Sequence, residues 1–284
     1  MIIAVASGKG GTGKTTVSAN LARSLGHDVV LLDCDVEEPN AHLFIRGDLI
    51  NSEVVGIPVP KVDEGLCDGC GECGDFCAYN AIVSFGTKAM VFPDMCHGCG
   101  GCSMVCPRKA ISYFENRIGV VETMESEGVE LVQGRLDVGV PMAPPLIRAV
   151  KRHIKPGKTA ILDAPPGTSC PVISAIGGAD YVALVTEPTP FGLHDLELAV
   201  EMVRELAIPF GVIVNRVGVG DDRVHAFCAR EGIPVLLEIP DDRRIAEAYS
   251  RGVLVVDALP EYRGLFCDLF AKVEVLSTGG VRAR

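Results

Sequence analysis

The chain has 284 residues, 48 % of them hydrophobic, so it can bury a large core, and disorder is excluded. Its formal charge of −11 argues against a nucleic-acid groove or an anionic membrane as the main partner, because both require a basic surface. No apolar run reaches the roughly 18 residues of a membrane span, and "MIIAVASGKGG" has neither the basic start nor the small-residue cleavage site of a leader; a cytoplasmic location is expected, where eight of the twelve cysteines, in two evenly spaced clusters, point to metal binding rather than disulfides.

The chain opens with a short apolar run, "MIIAVAS", ending in glycines. "TTVSANLARSL" places Val17, Leu21 and Leu25 at helical spacing, and "DVVLLDCD" is a second near-continuous apolar run. The order strand, loop, helix, strand is expected. Between the first strand and the helix, Gly8, Gly10, Gly11, Thr12, Gly13, Lys14, Thr15 and Thr16 fit the pattern G-x-x-x-x-G-K-[ST]. Glycines there let backbone N–H groups converge on phosphate oxygens, and the following helix adds its positive end. Lys14 is expected on the β- and γ-phosphates and the Thr15 hydroxyl on Mg²⁺.

A second lysine, Lys9, follows Gly8 directly. With it the segment resembles the deviant phosphate loop K-G-G-x-G-K-[ST] of the MinD, ParA and nitrogenase-iron-protein group of ATPases. The resemblance implies that Lys9 reaches across a homodimer to the partner's nucleotide, with two ATP molecules held between two subunits. Asp35, in "LLDCDVEEPN", ends the second strand, where parallel sheets bind ligands. It resembles the group's switch I aspartate, which implies placing the attacking water. Asp33 is read as a loop cap.

From residue 61 to 111 the alternation of strands and helices stops, and glycine and cysteine dominate. Cys67, Cys70, Cys73 and Cys77 are matched by Cys96, Cys99, Cys102 and Cys106 at an offset of 29, and "AYNAIVSF" is echoed by "PRKAISYF", an internal duplication. Spacing of C-x-x-C-x-x-C lets three thiolates converge on one cubane while the next cysteine points to the other cluster. Cys67, Cys70, Cys73 and Cys106 would hold one 4Fe-4S cluster; Cys96, Cys99, Cys102 and Cys77 the second. The segment resembles bacterial two-cluster ferredoxins, with one departure, Ala78 where the pattern has proline after Cys77. Zinc is the competing occupant, and the triplet spacing with Cys106-Pro107 favours clusters. His97 is not needed as a ligand. Through its first linker, "VVGIPVPKVDEG", the insert lies close after Asp35, so a nucleotide-dependent movement of that segment would reach the clusters.

Buried-strand runs resume with "TAILDAP", "YVALVTE", "FGVIVNR" and "VLLEIP", and a helix places Leu193, Leu196, Val200 and Val203 on one face. Asp163 ends the first of these runs and resembles the switch II aspartate near Mg²⁺. Asn215, Arg216, Pro240 and Asp241 lie in segments that resemble the group's adenine-binding stretches. Cys170, seven residues after Asp163, is read as a small buried residue rather than a ligand. Leu265, Phe266, Leu269, Phe270 and Val273 form a stripe on a terminal helix expected to pack on the core, and only Lys272, Arg282 and Arg284 follow Arg263, too few for firm membrane attachment.

Residues 1–60 and 112–284 thus resemble MinD/Mrp-type ATPases, and 61–111 an inserted ferredoxin domain. The fold expected is α/β, a mostly parallel sheet covered by helices on both faces, with a small inserted ferredoxin-like domain. The resemblance implies a slow, partner-stimulated ATPase that dimerises on ATP. By the same resemblance it would serve iron-sulfur cluster assembly or delivery, or ATP-gated electron transfer, with a redox or iron-sulfur protein as partner. A spatial organiser whose insert docks a partner is the alternative, and an amidoligase ranks last.

Overall fold

The computed structural model describes residues 1–278, so Arg282 and Arg284 lie outside the described residues. The expected opening is present as β1 (Ile2–Ala6), α1 (Lys14–Leu25) and β2 (Val29–Asp33). The chain continues through β3 (Asp48–Val62), α2 (Glu72–Phe76), β4 (Ile82–Phe85), β5 (Lys88–Val91), α3 (Gly101–Val105), β6 (Ile111–Ser126), β7 (Val129–Leu136) and α4 (Pro144–Lys151). It then alternates β8 (Thr159–Asp163), α5 (Cys170–Ile176), β9 (Tyr181–Thr186), α6 (Pro190–Glu205), β10 (Phe210–Val217), α7 (Arg223–Glu231), β11 (Val235–Pro240) and α8 (Arg243–Ser250), closing with α9 (Val255–Ala258) and α10 (Arg263–Thr278).

One sheet runs β11-β10-β9-β1-β8-β2-β7-β6-β3. Its neighbours are parallel from β11 to β7, and β6 and β3 extend it as an antiparallel ribbon. The parallel strands are buried on both faces, as their continuous apolar runs require. One core lies under α4, α5, α6 and α7, the other under α1, α9 and α10. Phe266, Leu269 and Val273 of α10 are fully buried, each contributing about 1.5–3 kcal/mol, so the terminal helix is a core element. Leu265, placed on the same stripe, is 36 % exposed. Among the described residues no helix is long and apolar enough to cross a membrane.

The stretch read as a linker is a strand. β3 pairs with β6 from Asp48↔Glu125 to Val62↔Ile111, so residues 63–110 hang from the far end of a ribbon. β3 tolerates Pro58 and Pro60 because it is the outermost strand.

Within 63–110 the duplication is structural. α2 and α3 stand 29 residues apart, and the left-handed Gly71 and Asn80 recur as Gly100 and Lys109. A small apolar cluster of Cys73, Ile82 and Cys102, backed by Val62, Val91, Val105 and Ile111, holds the lobe together.

Candidate nucleotide site and paired thiol sites

β1, β2 and β8 lie side by side, with Val5, Asp163 and Asp33 in register at their carboxyl ends. The loop after β1 turns through left-handed Gly11 and Gly13 before α1 begins at Lys14. Ser7 Oγ donates to the Lys9 carbonyl at 2.6 Å, and the Val17 N–H to Gly13 O at 3.0 Å. Gly8 sits against α6, since a Cβ there would lie 2.1 Å from the Asp195 carbonyl.

Lys14 is only 7 % exposed, and burial lowers its affinity for a proton while Asp163, Asp35 and Asp33 raise it. Three carboxylates thus face one buried ammonium. Burial pushes all three upward: Asp35 to about 6, with Lys14 opposing, and the coupled pair Asp33 and Asp163 in the same direction. Asp33 spends its carboxylate on the loop, accepting from the N–H groups of Asp35 (3.1 Å), Asn40 (3.0 Å) and Ala41 (3.0 Å), the cap expected of it. Asp163 differs. The hydroxyls of Thr15 and Ser18 face it and lower its pKa, yet neither closes a hydrogen bond, and both its buried oxygens are without a partner among the described residues. The Thr12 hydroxyl is likewise buried and unpartnered. Such polar atoms are costly unless a ligand satisfies them, and oxygen donors next to a phosphate loop suit Mg²⁺.

Lys9 pairs with Glu187 at 3.8 Å, and Glu187 also meets Arg216 at 3.3 Å. Glu187 went unnoticed in the sequence, although it is the last residue of "YVALVTE". Arg216 protrudes at φ +59° from an irregularity between β10 and β11 and pairs with Asp241 at 3.0 Å. Pro240 pairs with Val217. Asn215 Nδ2 donates to the Thr12 carbonyl at 2.8 Å, so this side chain holds the phosphate loop itself.

The eight clustered cysteines fall into two groups that cross the repeat. Cys67, Cys70, Cys73 and Cys106 border one cavity together with Val62, Arg108 and Ile111. Burial raises the Cys73 thiol, and Cys106 and Cys67 raise it further. Cys96 is likewise raised by burial and by Cys102, Cys99 and Cys77. Backbone N–H groups point at the sulfurs: Gly98 at Cys96 (3.4 Å) and Ala110 at Cys106 (3.4 Å). Partial burial would raise Cys77, but N–H groups from Tyr79 to Ile82 bring it below its ordinary range. Among the described residues no three His, Cys, Asp or Glu side chains are gathered as closely as one metal ion requires.

Tyr113 is a site residue the sequence reading missed. Its hydroxyl donates to Gly100 O at 2.7 Å, accepts from Ser103 N at 3.3 Å, and lies 3.4 Å from Cys102 Sγ. Its counterpart 29 positions earlier, Ser84, lines the cavity of the first group. His97 stacks on Tyr79 at 3.5 Å, flanking the second group. Of the scattered cysteines, Cys34 and Cys228 are buried and Cys267 is exposed; Cys170, expected in the core, is exposed at the start of α5.

Residues 3–255 match the family model of the CobQ/CobB/MinD/ParA nucleotide binding domain. The uncharacterized protein MJ0579 of Methanocaldococcus jannaschii is 33 % identical over 258 residues, 89 % of this chain and 90 % of that protein. The iron-sulfur cluster carrier protein of Pyrococcus horikoshii is 25 % identical over 274 residues, 89 % of this chain and 78 % of the carrier. The fold is similar to that of the septum site-determining protein MinD from Pyrococcus horikoshii, solved with Mg-ADP, at a TM-score of 0.62 and 24 % identity, covering 100 % of this chain and 99 % of the other.

Proposed function

Because the chain belongs to the CobQ/CobB/MinD/ParA family of nucleotide-binding domains, we propose that it hydrolyses ATP with Mg²⁺ as a nucleotide-bridged dimer and couples that cycle to two 4Fe-4S clusters in residues 63–110. The observation that carries the cluster half is the crossing of the repeat: Cys106 lies with the first triplet and Cys77 with the second. N–H groups directed at the sulfurs fit thiolate ligands of such clusters.

In the nucleotide half, Lys14 and the loop N–H groups bind the phosphates, and Thr15 with Asp163 holds the cation. Asp35 orients water, and Lys9, released from Glu187, reaches the partner's nucleotide. Asn215 holds the loop in place, and Arg216, Pro240 and Asp241 border the base. When bound, the clusters supply one-electron chemistry; the chain contributes eight thiolates and a lobe that partly shields them.

Eight thiols saturate two clusters, which supports resident groups and hence ATP-gated electron transfer to a redox partner. Cluster delivery is the second reading, favoured by relatives named iron-sulfur cluster carriers. The buried Cys228 is no ready partner for Cys267 in a transfer site. Exposed Phe85 (80 %) and Met104 (85 %) give the lobe an apolar surface for a partner protein. Anaerobic purification tests the proposal: roughly eight iron and eight sulfide per chain are expected, and stoichiometric zinc without sulfide refutes it.

A further inference from the structure

The loop after β2, which carries Asp35, packs on β7 from both faces of the sheet, at the carboxyl end of the strand through Val36 and nearer its start through Ala41 and Ile45. On one face the Val36 carbonyl accepts from the Leu136 N–H at 2.8 Å. The Val36 side chain there fills a notch at Gly134, where a Cβ would come within 2.5 Å of Val36 Cγ1 and 2.8 Å of Val150 Cγ2. On the other face Ala41 and Ile45 join the core that contains Val129 and Leu131 of β7, and Asp33 fixes the crossing by holding the Asn40 and Ala41 N–H groups.

β7 is in turn continuous with the thiol lobe. It pairs with β6 from Ser126↔Val129 to Gly119↔Leu136. Further along β6, Tyr113 carries the hydrogen bonds to Gly100 and Ser103 and the contact with Cys102. The loop of the second thiol group also rests on β3, for a Cβ at Gly98 would meet Pro58 Cδ at 3.2 Å. Val36, Ile118, Val55, Ile57 and Cys96 belong to one buried apolar cluster.

We propose that Gly134 is a positioning residue: its notch sets the Val36 segment, and thereby Asp35, for ATP hydrolysis, and movement of that segment passes through β7 and β6 to the Cys96–Cys102 loop. The proposal rests on the reading above that Asp35 acts at the nucleotide and that 63–110 holds clusters. Interfaces packed this closely shift between discrete arrangements rather than deforming smoothly, which suits a joint. The simpler role for Gly134, making room for Val150 of α4, predicts lost stability with no selective effect on turnover.

The test uses the full chain with Gly134→Ala, Val36→Ala and the double variant. Turnover, nucleotide affinity and hydrogen exchange over residues 96–121 are measured in ADP and in a non-hydrolysable ATP analogue. Gly134→Ala is expected to lower turnover by about tenfold to a hundredfold, as small misplacements of reacting groups do, while affinity changes by less than about twofold. The nucleotide-dependent exchange difference is expected to vanish, and adding Val36→Ala, which removes the Cγ1 clash, to restore part of both. Turnover and affinity falling together, or an exchange difference that survives, overturns the joint. If Gly134→Ala does not fold, Val36→Ala alone, which loosens the grip, must lower turnover and spare affinity, or the joint is refuted. A chain without iron that still gives the expected turnover pattern sinks the cluster reading and leaves Gly134 as Asp35's positioning residue. A chain with both clusters and undiminished turnover in Gly134→Ala sinks the joint alone.

Discussion

The side-chain amide of Asn215, at the end of β10, donates to the carbonyl of Thr12 in the phosphate loop at 2.8 Å. The two residues are 203 positions apart, so the fold, not the local sequence, braces the loop. A neutral hydrogen bond of this kind contributes about 1 kcal/mol. Asn215→Ala is therefore expected to weaken ATP binding by about fivefold, and Asn215→Asp, which turns an acceptor toward an acceptor, by more. Calorimetric titration reads this directly, and unchanged affinity in both variants would show that the brace is idle.

Lys9 is held at 3.8 Å, the long limit of an ion contact, from the half-buried Glu187, which keeps Arg216 at 3.3 Å as a second partner when Lys9 departs. It can therefore leave Glu187 for a partner's phosphates. Lys9→Ala is expected to abolish ATP-driven dimerisation and to lower hydrolysis by about a thousandfold or more, as loss of a trans-acting cation does, while much of the ATP binding persists. Light scattering with a turnover assay decides it; full hydrolysis by Lys9→Ala refutes the nucleotide sandwich.

Cys106 and Cys77 each lie with the other repeat's triplet. Cys106→Ser is expected to perturb the cluster of Cys67, Cys70 and Cys73, and Cys77→Ser that of Cys96, Cys99 and Cys102, each variant retaining about four of eight irons if the affected cluster is lost. Paramagnetic resonance of the reduced variants distinguishes the two. A residual signal in Cys106→Ser that matches that of Cys99→Ser, rather than that of Cys70→Ser, would mean that the ligands do not cross.

Burial penalises the charge of Asp33, Asp35 and Asp163 and pushes all three above the ordinary carboxylate range. A carboxyl raised on folding stabilises the fold below its unfolded value, and that contribution is lost as pH rises through the folded value, about 6 for Asp35. Without nucleotide, thermal stability at constant ionic strength is expected to fall as pH rises from 5 to 7, with Asp35→Asn reducing the slope and Mg²⁺ with ATP opposing it. A flat profile in the unliganded wild type contradicts this assignment.

The parallel strands and phosphate loop were legible because buried strands read as continuous apolar runs and because glycine, lysine and threonine at fixed spacing serve one chemistry. The thiol groups were legible because 29-residue spacing repeats in sequence and backbone alike. The ribbon was not. β3 is mostly exposed from Asp48 to Val54 and β6 from Ser112 to Arg117, at opposite ends of the ribbon, and both interleave charged residues, so no run marks them, and Pro58 with Pro60 looked like a linker. Asn215, Glu187 and Gly134 act through partners distant in sequence. Cys170 was misplaced because a small residue beside Pro171 carries no signal of exposure.

The central claim, that nucleotide state and thiol lobe are thermodynamically linked, is tested most directly by redox titration of the anaerobic protein in ADP and in a non-hydrolysable ATP analogue, with nucleotide affinity measured on oxidised and reduced protein. Linkage requires the two shifts to agree. A tenfold change in affinity corresponds to about 59 mV in a one-electron potential, and a shift of that order, matched by the affinity ratio, is expected. Titration curves that superimpose in the two nucleotides, together with equal affinities in the two redox states, would contradict the account.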